Sequence, residues 1–350
     1  MTMRKSALRP EGLSVPPESQ PLQTFAPRFV LRQSEDALDQ VKSLGGWKIR
    51  LQQLSPGRLK AEVAGLHLDN IQFIRERTTQ ALLKEVETGD DQIVFSQPLQ
   101  ASGPGYVNGH MIGYPDPCLL GGGILPSIRT PQYLDVASLA VDKAHLLRWL
   151  TELGESELAD TLISKRQLAC LQLEPTSLSI VKDVSLQLCG DSGITERVLD
   201  FEQCRRTLED DLLHAFMRSL RVSRRRSLTS LTLQRRLADR ARELVLACPD
   251  AAPTISDLCR QLGVSRRSLQ DGFQGAFGLA PTQFLRVVRL NAVRRELRAL
   301  AGNSVQPSIG DIAARWGFWH WSRFTSYYRG LFGELPSETF RRFGARAKRD

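Results

Sequence analysis

The pattern of apolar and polar positions changes character along the chain. From residue 26 to about 150, short apolar runs alternate with polar positions and are cut by turn residues. Trp47-Lys-Ile-Arg-Leu51, Leu59-Lys-Ala-Glu-Val63, Leu66-His-Leu-Asp69 and Gln92-Ile-Val-Phe95 stand between breaks such as Ser55-Pro-Gly57, Gly89-Asp-Asp91, Ser102-Gly-Pro-Gly105 and Gly121-Gly-Gly123. Period-two alternation with Gly/Pro breaks predicts an antiparallel β barrel or sandwich. The period turns helical over Ala144–Leu162 and again over Val198–Leu220. In the second stretch Phe201, Leu208, Leu212, Phe216 and Leu220 share one face, with Leu213 and Met217 beside it. Such a face packs on the neighbouring domain or pairs with a second copy of itself.

Ser223-Arg-Arg-Arg-Ser-Leu-Thr-Ser230 is short, basic and polar, and marks a boundary. The expected division is a flexible lead over 1–25, a β-rich domain ending in helices over 26–222, a linker over 223–231 and an all-helical domain over 232–350. Leu233 to Ala247 predicts a first helix, stopped by Pro249 and Pro253. Residues Pro281 to Leu300 predict one long helix, since proline is tolerated in a first turn. That helix carries Phe284, Val287, Val288 and Leu290 among Arg286, Arg289, Arg294, Arg295 and Arg298.

Within the helical half the chain repeats itself. Ile255-Ser-Asp-Leu-Cys-Arg-Gln-Leu-Gly263 is followed 54 positions later by Ile309-Gly-Asp-Ile-Ala-Ala-Arg-Trp-Gly317. Leu269, Phe273, Phe277, Gly278 and Pro281 recur 55 positions later as Phe324, Tyr328, Phe332, Gly333 and Pro336, so one residue is inserted after the second turn. In each copy Thr254 or Ser308 can cap a short helix, and Asp257 or Asp311 suits its first turn. Gly263 and Gly317 fall where the chain must turn sharply. With the i, i+4, i+8 apolar faces buried, the first copy presents Arg266, Arg267, Gln270, Asp271 and Gln274. The second presents Trp321, Ser322, Thr325, Ser326 and Arg329. Arg and Gln on such a helix suit guanine and adenine edges in the major groove. A connecting helix of about 19 residues rises about 28 Å, near the ~34 Å between successive major grooves on one face.

Charge follows the same division. Residues 222–350 hold 23 basic and 10 acidic residues, a net +13, while the preceding 221 hold 24 and 28, a net −4. All but one of the 23 are arginine, whose planar fork suits phosphate and guanine.

Gly317-Phe318, Phe324, Tyr328, Phe332-Gly333, Pro336 and Phe340 resemble the signature of the AraC/XylS family of bacterial transcription regulators, and the resemblance covers about residues 230–345. It implies a seven-helix DNA-binding domain, usually C-terminal to an effector or dimerisation domain, and most often an activator. By motif position, base contacts fall on Arg267, Gln270 and Asp271, then on Trp321, Ser322, Thr325 and Ser326. Asp271 and Trp321 are unusual there, so the resemblance implies an idiosyncratic target. Leu290-Asn-Ala-Val-Arg-Arg-Glu-Leu297, Trp316-Gly-Phe-Trp-His320, Gln53-Leu-Ser-Pro-Gly-Arg58, Leu68-Asp-Asn-Ile-Gln72, Arg75 and Arg77 also resemble the subfamily of ethanolamine-utilisation operon regulators. Those stretches are scattered, so they imply a shared architecture rather than that subfamily's effector, ethanolamine with adenosylcobalamin.

Other chemistry finds little support. Gly190-Asp-Ser-Gly193 resembles the nucleophile stretch of trypsin-like proteases but lacks its continuation and a matching histidine. Gly121-Gly-Gly123 lacks the Lys-Ser/Thr of a phosphate loop. His67, His110 and His145 lack the close spacing of a cupin-type metal site. The six cysteines are scattered and form no C-x-x-C pair. No catalytic residue, metal or cofactor is expected. No apolar run approaches a membrane span, and no signal peptide is read, which predicts a cytoplasmic protein. The expected fold is α+β, with a β-rich, cupin-like sensor domain and an all-α domain of two helix-turn-helix units. The expected function is sequence-specific regulation of transcription, with double-stranded DNA, RNA polymerase, a small-molecule effector and a second copy of the chain as partners. The competing reading is an enzyme or small-molecule-binding protein whose basic helical domain is structural.

Overall fold

A computed structural model gives the fold, described for residues 27–41, 47–155, 159, 169–172, 175–189, 196–221, 224–227, 232–247, 253–301 and 308–347. The expected lead over 1–25 and Gly190–Gly193 lie outside these residues.

The β-rich half consists of two antiparallel sheets, with a short helix, α1 (Ala37–Val41), near its start. The larger runs β1 (Arg28–Ser34), β3 (Ala61–His67), β4 (Ile71–Thr78), β11 (Leu134–Asp142), β6 (Gln92–Ala101), β9 (Cys118–Gly121), β12 (Ala169–Gln172) and β13 (Arg224–Ser227). The smaller runs β2 (Lys48–Gln53), β5 (Leu82–Glu87), β10 (Ile128–Arg129), β7 (Gly105–Val107) and β8 (His110–Ile112). Alternation sorts the large sheet's side chains onto two faces. Phe73, Phe95, Leu139 and Val141 join a core with helices on the outer face. Ile74, Val94, Val136 and Ser138 look inward, toward a cavity shared with the smaller sheet.

Among the described residues, the outer face is covered by α2 (Lys143–Glu152), α3 (Pro175–Cys189) and α5 (Glu202–Arg221), with a single turn, α4 (Glu196–Leu199), before the last. Phe216 stands edge-on to Phe95, with ring centroids 5.0 Å apart. Leu212, Leu213, Phe216 and Met217 are all buried in this core. The apolar face predicted over Val198–Leu220 is therefore consumed within its own domain. A second copy cannot reach Leu212. Phe201 departs from the prediction, because the helix breaks before it and leaves it 64% exposed. The helix expected to run to Leu162 ends at Glu152, with Gly154 at φ +75° after it. Within the expected linker, Arg224–Ser227 is a strand paired with β12.

Seven helices form the rest of the described chain: α6 (Leu233–Ala247), α7 (Ile255–Leu262), α8 (Arg266–Phe277), α9 (Pro281–Leu300), α10 (Ile309–Arg315), α11 (Trp321–Phe332) and α12 (Pro336–Ala347). They share one core in which α9 is the central element. Phe284, Val288, Leu290, Val293 and Leu297 are buried there between Phe273 and Phe277 of α8 and Phe324, Tyr328 and Phe332 of α11. Leu54, Ala81 and Leu83 from the β-rich half belong to the same core. The two halves are thus joined by apolar packing as well as by polar contacts.

Candidate nucleic-acid interface

Local rules account for the shape of each helix-turn-helix. Thr254 and Asp257 form a reciprocal capping box at the start of α7: the Thr254 N–H donates to Asp257 Oδ2 at 3.0 Å, and the Asp257 N–H to Thr254 Oγ1 at 3.2 Å. The hydrogen bonds from Thr254 hold the Asp257 carboxyl below the usual carboxylate range. Gly263 ends α7 at φ +66°, a conformation that costs other residues about 1–2 kcal/mol. Ser265 then caps α8 through the Ser268 N–H at 3.0 Å. In the second unit Ser308 caps α10 through the Asp311 N–H at 3.2 Å, and Gly317 turns at φ +80°. The inserted residue lies between Gly317 and Trp321. It leaves His320 as the N-cap of α11, with no side-chain cap bond.

The predicted reading residues fall on the outer faces. Arg266, Arg267, Gln270, Asp271 and Gln274 are all exposed on α8, and Arg267 is 93% exposed. Trp321, Ser322, Ser326 and Arg329 are exposed on α11. Thr325 is half-buried, its hydroxyl donating to the Trp321 carbonyl at 3.0 Å. Trp319, His320 and Arg323 belong beside them on the exposed start of α11, and Trp319 is 84% exposed. Sequence reasoning missed these three because it aligned the second unit to the first, and the insertion sits at that point. Arg267 lies 3.9 Å from Asp271, one helical turn on. At that exposure the pair contributes little, so both groups are free to meet a ligand.

The arginines of α9 behave differently from a basic DNA-facing surface. Arg294 is buried: its Nε donates to Asp36 at 2.7 Å, and it also reaches Glu334, Tyr328 and Thr339. Burial opposes its charge, but Tyr328, Asp36 and Glu334 outweigh that and raise its pKa. Arg298 pairs with Asp39 at 2.8 Å, Arg289 donates to the Pro253 carbonyl at 2.7 Å, and Arg286 stacks on Tyr327. The basic count of the sequence thus overstates the charge available to a polyanion.

Helices α8 and α11 both end against the β-rich domain. A Cβ placed on Gly278, which ends α8 at φ +62°, would lie 3.3 Å from the Tyr106 hydroxyl and 3.6 Å from Arg129. On Gly333, which ends α11 at φ +70°, it would meet the Arg58 backbone at 3.0 Å. Around that second contact the Gly57 N–H donates to the Gly330 carbonyl at 3.0 Å, and Gln53 Nε2 donates to the Leu331 carbonyl at 2.6 Å. Asn291 of α9 both accepts from the Gln53 N–H (3.1 Å) and donates to its carbonyl (2.8 Å).

Residues 258–342 match the family described as helix-turn-helix domain. Similar proteins include the probable thc operon regulatory protein of Rhodococcus erythropolis, 40% identical over 88 residues, which are 25% of this chain and 26% of that protein. A XylDLEGF operon transcriptional activator of Pseudomonas putida is 40% identical over 78 residues, 22% of this chain and 24% of the relative. That segment is a helix-turn-helix domain. The chain spans about a quarter of the length of these relatives. Among solved structures, the AraC-like transcriptional activator CuxR matches over 82% of this chain and 100% of its own, at 16% identity and a TM-score of 0.35. ToxT from Vibrio cholerae matches over 84% and 98%, at 13% identity and 0.28. Neither overlap is close enough to carry structural detail across. Among the described residues no helix is long and apolar enough to cross a membrane, and no cluster of His, Cys, Asp and Glu could hold a metal ion.

Proposed function

We propose that the protein is a sequence-specific DNA-binding transcription regulator, effector-responsive and activating, which reads two successive major grooves. The observation that carries this reading is the pair of exposed helices α8 and α11 on one buried connecting helix. Residues 232–350 are its DNA-binding domain and 26–222 its sensor domain, with the boundary near Arg224–Ser227. Arg266, Arg267, Gln270, Asp271 and Gln274 read one groove. Trp321, Ser322, Thr325, Ser326 and Arg329 read the next, joined by Trp319, His320 and Arg323. α9 is 20 residues long and so rises about 30 Å, which suits that spacing. RNA polymerase, a small-molecule effector and a second copy of the chain complete the reading, the copy meeting a surface other than the buried Leu212 face. A cytoplasmic site of action follows from it.

The narrower subfamily resemblance gains a physical meaning here. Two of its stretches, Gln53–Arg58 and Leu290–Leu297, lie on opposite sides of the contact between the halves and meet through Gln53 and Asn291. Shared residues there support a shared way of joining sensor to reader, and are silent on the effector.

A salt titration of duplex binding tests the proposal. The preferred duplex should bind at least about a thousandfold more tightly than a scrambled one, with affinity falling steeply as salt rises. Equal affinity for every duplex would leave the helical domain a packing scaffold.

A further inference from the structure

Between the two sheets lies a cavity of about 140 Å³, and strand register fixes which side chains face it. On the smaller sheet Ile128 is paired with Lys84 and Val107, and all three look into the cavity. Arg129, paired with Leu83 and Tyr106, is on the opposite face, where Leu83 joins the core of the helical half. On the larger sheet Ser96 and Ser138 stand directly across from one another, midway along β6 and β11 on the cavity side. Both are half-buried, while Phe95, Ala137 and Leu139 beside them on the outer side are fully buried. The exposure of the two serines is therefore to the cavity.

The charges on these inward faces cancel. Lys84 pairs with Glu76, which also accepts from Gln40. Asp116 stands at the solvent edge beside the exposed Gly113 and Tyr114, and has the wrong sign for an anion. Removing an ion from water against Ile74, Val94 and Leu125 is costly when no opposite charge waits for it. The floor does offer hydrogen bonds. Ser96 Oγ and Ser138 Oγ lie 2.9 Å apart, so one hydroxyl hydrogen sits between them. The pair keeps one O–H to donate and lone pairs to accept. A space of this volume accommodates about one benzene ring. We propose that the cavity takes an uncharged, ring-sized apolar molecule bearing a single oxygen, and that this oxygen docks on the Ser96–Ser138 pair. That ligand class rests on the sensor reading of the β-rich domain and sharpens it.

Calorimetry on the full chain tests it with four probes of nearly one shape: acetophenone, isopropylbenzene, benzoate and benzamidinium. Acetophenone should bind saturably. Isopropylbenzene, which lacks the oxygen, should bind about 3- to 10-fold more weakly, and the two ions at least about tenfold more weakly than acetophenone. Ser96→Ala combined with Ser138→Ala should bring acetophenone down to the level of isopropylbenzene, whose own affinity should hardly change. Val136→Phe, which fills the cavity from β11, should abolish binding of both neutral probes. Unliganded melting temperatures close to the wild type's separate lost contact from lost fold. Where a variant fails to fold, the four probes on the unaltered chain still decide the charge class. Either ion binding as tightly as acetophenone, a double variant that keeps the full gap between acetophenone and isopropylbenzene, or no saturable binding of either neutral probe would overturn the proposal. Saturation with acetophenone should also shift affinity for DNA. Binding with no such shift would overturn sensing through this cavity. Absence of DNA binding with and without probe would instead sink the regulator reading, while the calorimetry still decides the ligand class.

Discussion

At Gly278 the first exposed helix, α8, ends against two side-chain tips from the smaller sheet, those of Tyr106 and Arg129. At Gly333 the second ends against the backbone of Arg58. The first unit's other ties to the β-rich domain are partly exposed, as in Arg242 with Glu85 at 2.9 Å, or rest on the tip of a hairpin, where the Thr232 N–H donates to the Asn108 carbonyl at 3.3 Å. The second unit shares a buried charge network through Arg294, Asp36 and Glu334, and adds backbone bonds from the Gln53–Arg58 loop. The reading faces differ as well. One is polar and led by two arginines; the other is aromatic and led by Trp319 and Trp321. Duplicating a unit preserved its apolar skeleton, while the contacts at its rim and its outer face were free to diverge. The second unit is held to the β-rich domain by a buried charge network and backbone bonds, and the first chiefly by contacts at its rim.

The largest effect should come from breaking that network. Arg294→Ala leaves the buried Asp36 and Glu334 with only the longer contacts to Arg298 and Arg342 and should cost up to about 3–5 kcal/mol in urea denaturation. Arg242→Ala, whose partner is about a third exposed, should cost no more than about 1 kcal/mol. Equal costs would erase the asymmetry.

Next in size are the reading faces. Arg267→Ala should lose about 1–3 kcal/mol on the preferred duplex and relax choice at one base pair. Trp321→Ala should change choice in the other half of the site and leave the salt slope untouched, because it removes no charge. A reduced slope for Trp321→Ala would show that its loss disturbs neighbouring arginines.

Smaller still are the two end glycines. Gly278→Ala and Gly333→Ala each force a side chain to positive φ, at about 1–2 kcal/mol. The cost should be greater at Gly333, where the methyl meets backbone that cannot swing aside. Thermal melts of the two variants provide the comparison.

Much of this molecule could be read from residue order because its rules are local. Caps, turn glycines and i, i+4 apolar faces act within a dozen residues, and each of them recurs in the structure where the repeat placed it. The contact between the halves could not be read that way. Gln53 and Asn291 stand 238 positions apart, and neither bears a mark of its partner. The arginines of α9 showed the same gap, since residue type announces a charge but not the Asp36 that buries it. The apolar face of α5 was legible as a face, yet two surfaces could have covered it. Only packing on Phe73 and Phe95 distinguished them.

The smallest difference between the units is expected in acid. His67, on β3 and apart from both reading helices, is held neutral by burial and by Arg28, with its pKa lowered to about 4 from 6.5. The unfolded chain takes up that proton first, so stability should fall as pH drops from about 6.5 toward 4. His67→Gln should flatten that decline without changing DNA choice by either unit. A shift confined to one unit would tie His67 to the sensor's signal.

One chain should read DNA with two unlike helices. Selection of bound duplexes from a random pool tests it most directly, using the full chain beside Arg267→Ala and Trp321→Ala. The enriched site should hold two elements about 10 base pairs apart, with each substitution relaxing a different element. A single element, or two that respond together to either substitution, would contradict it.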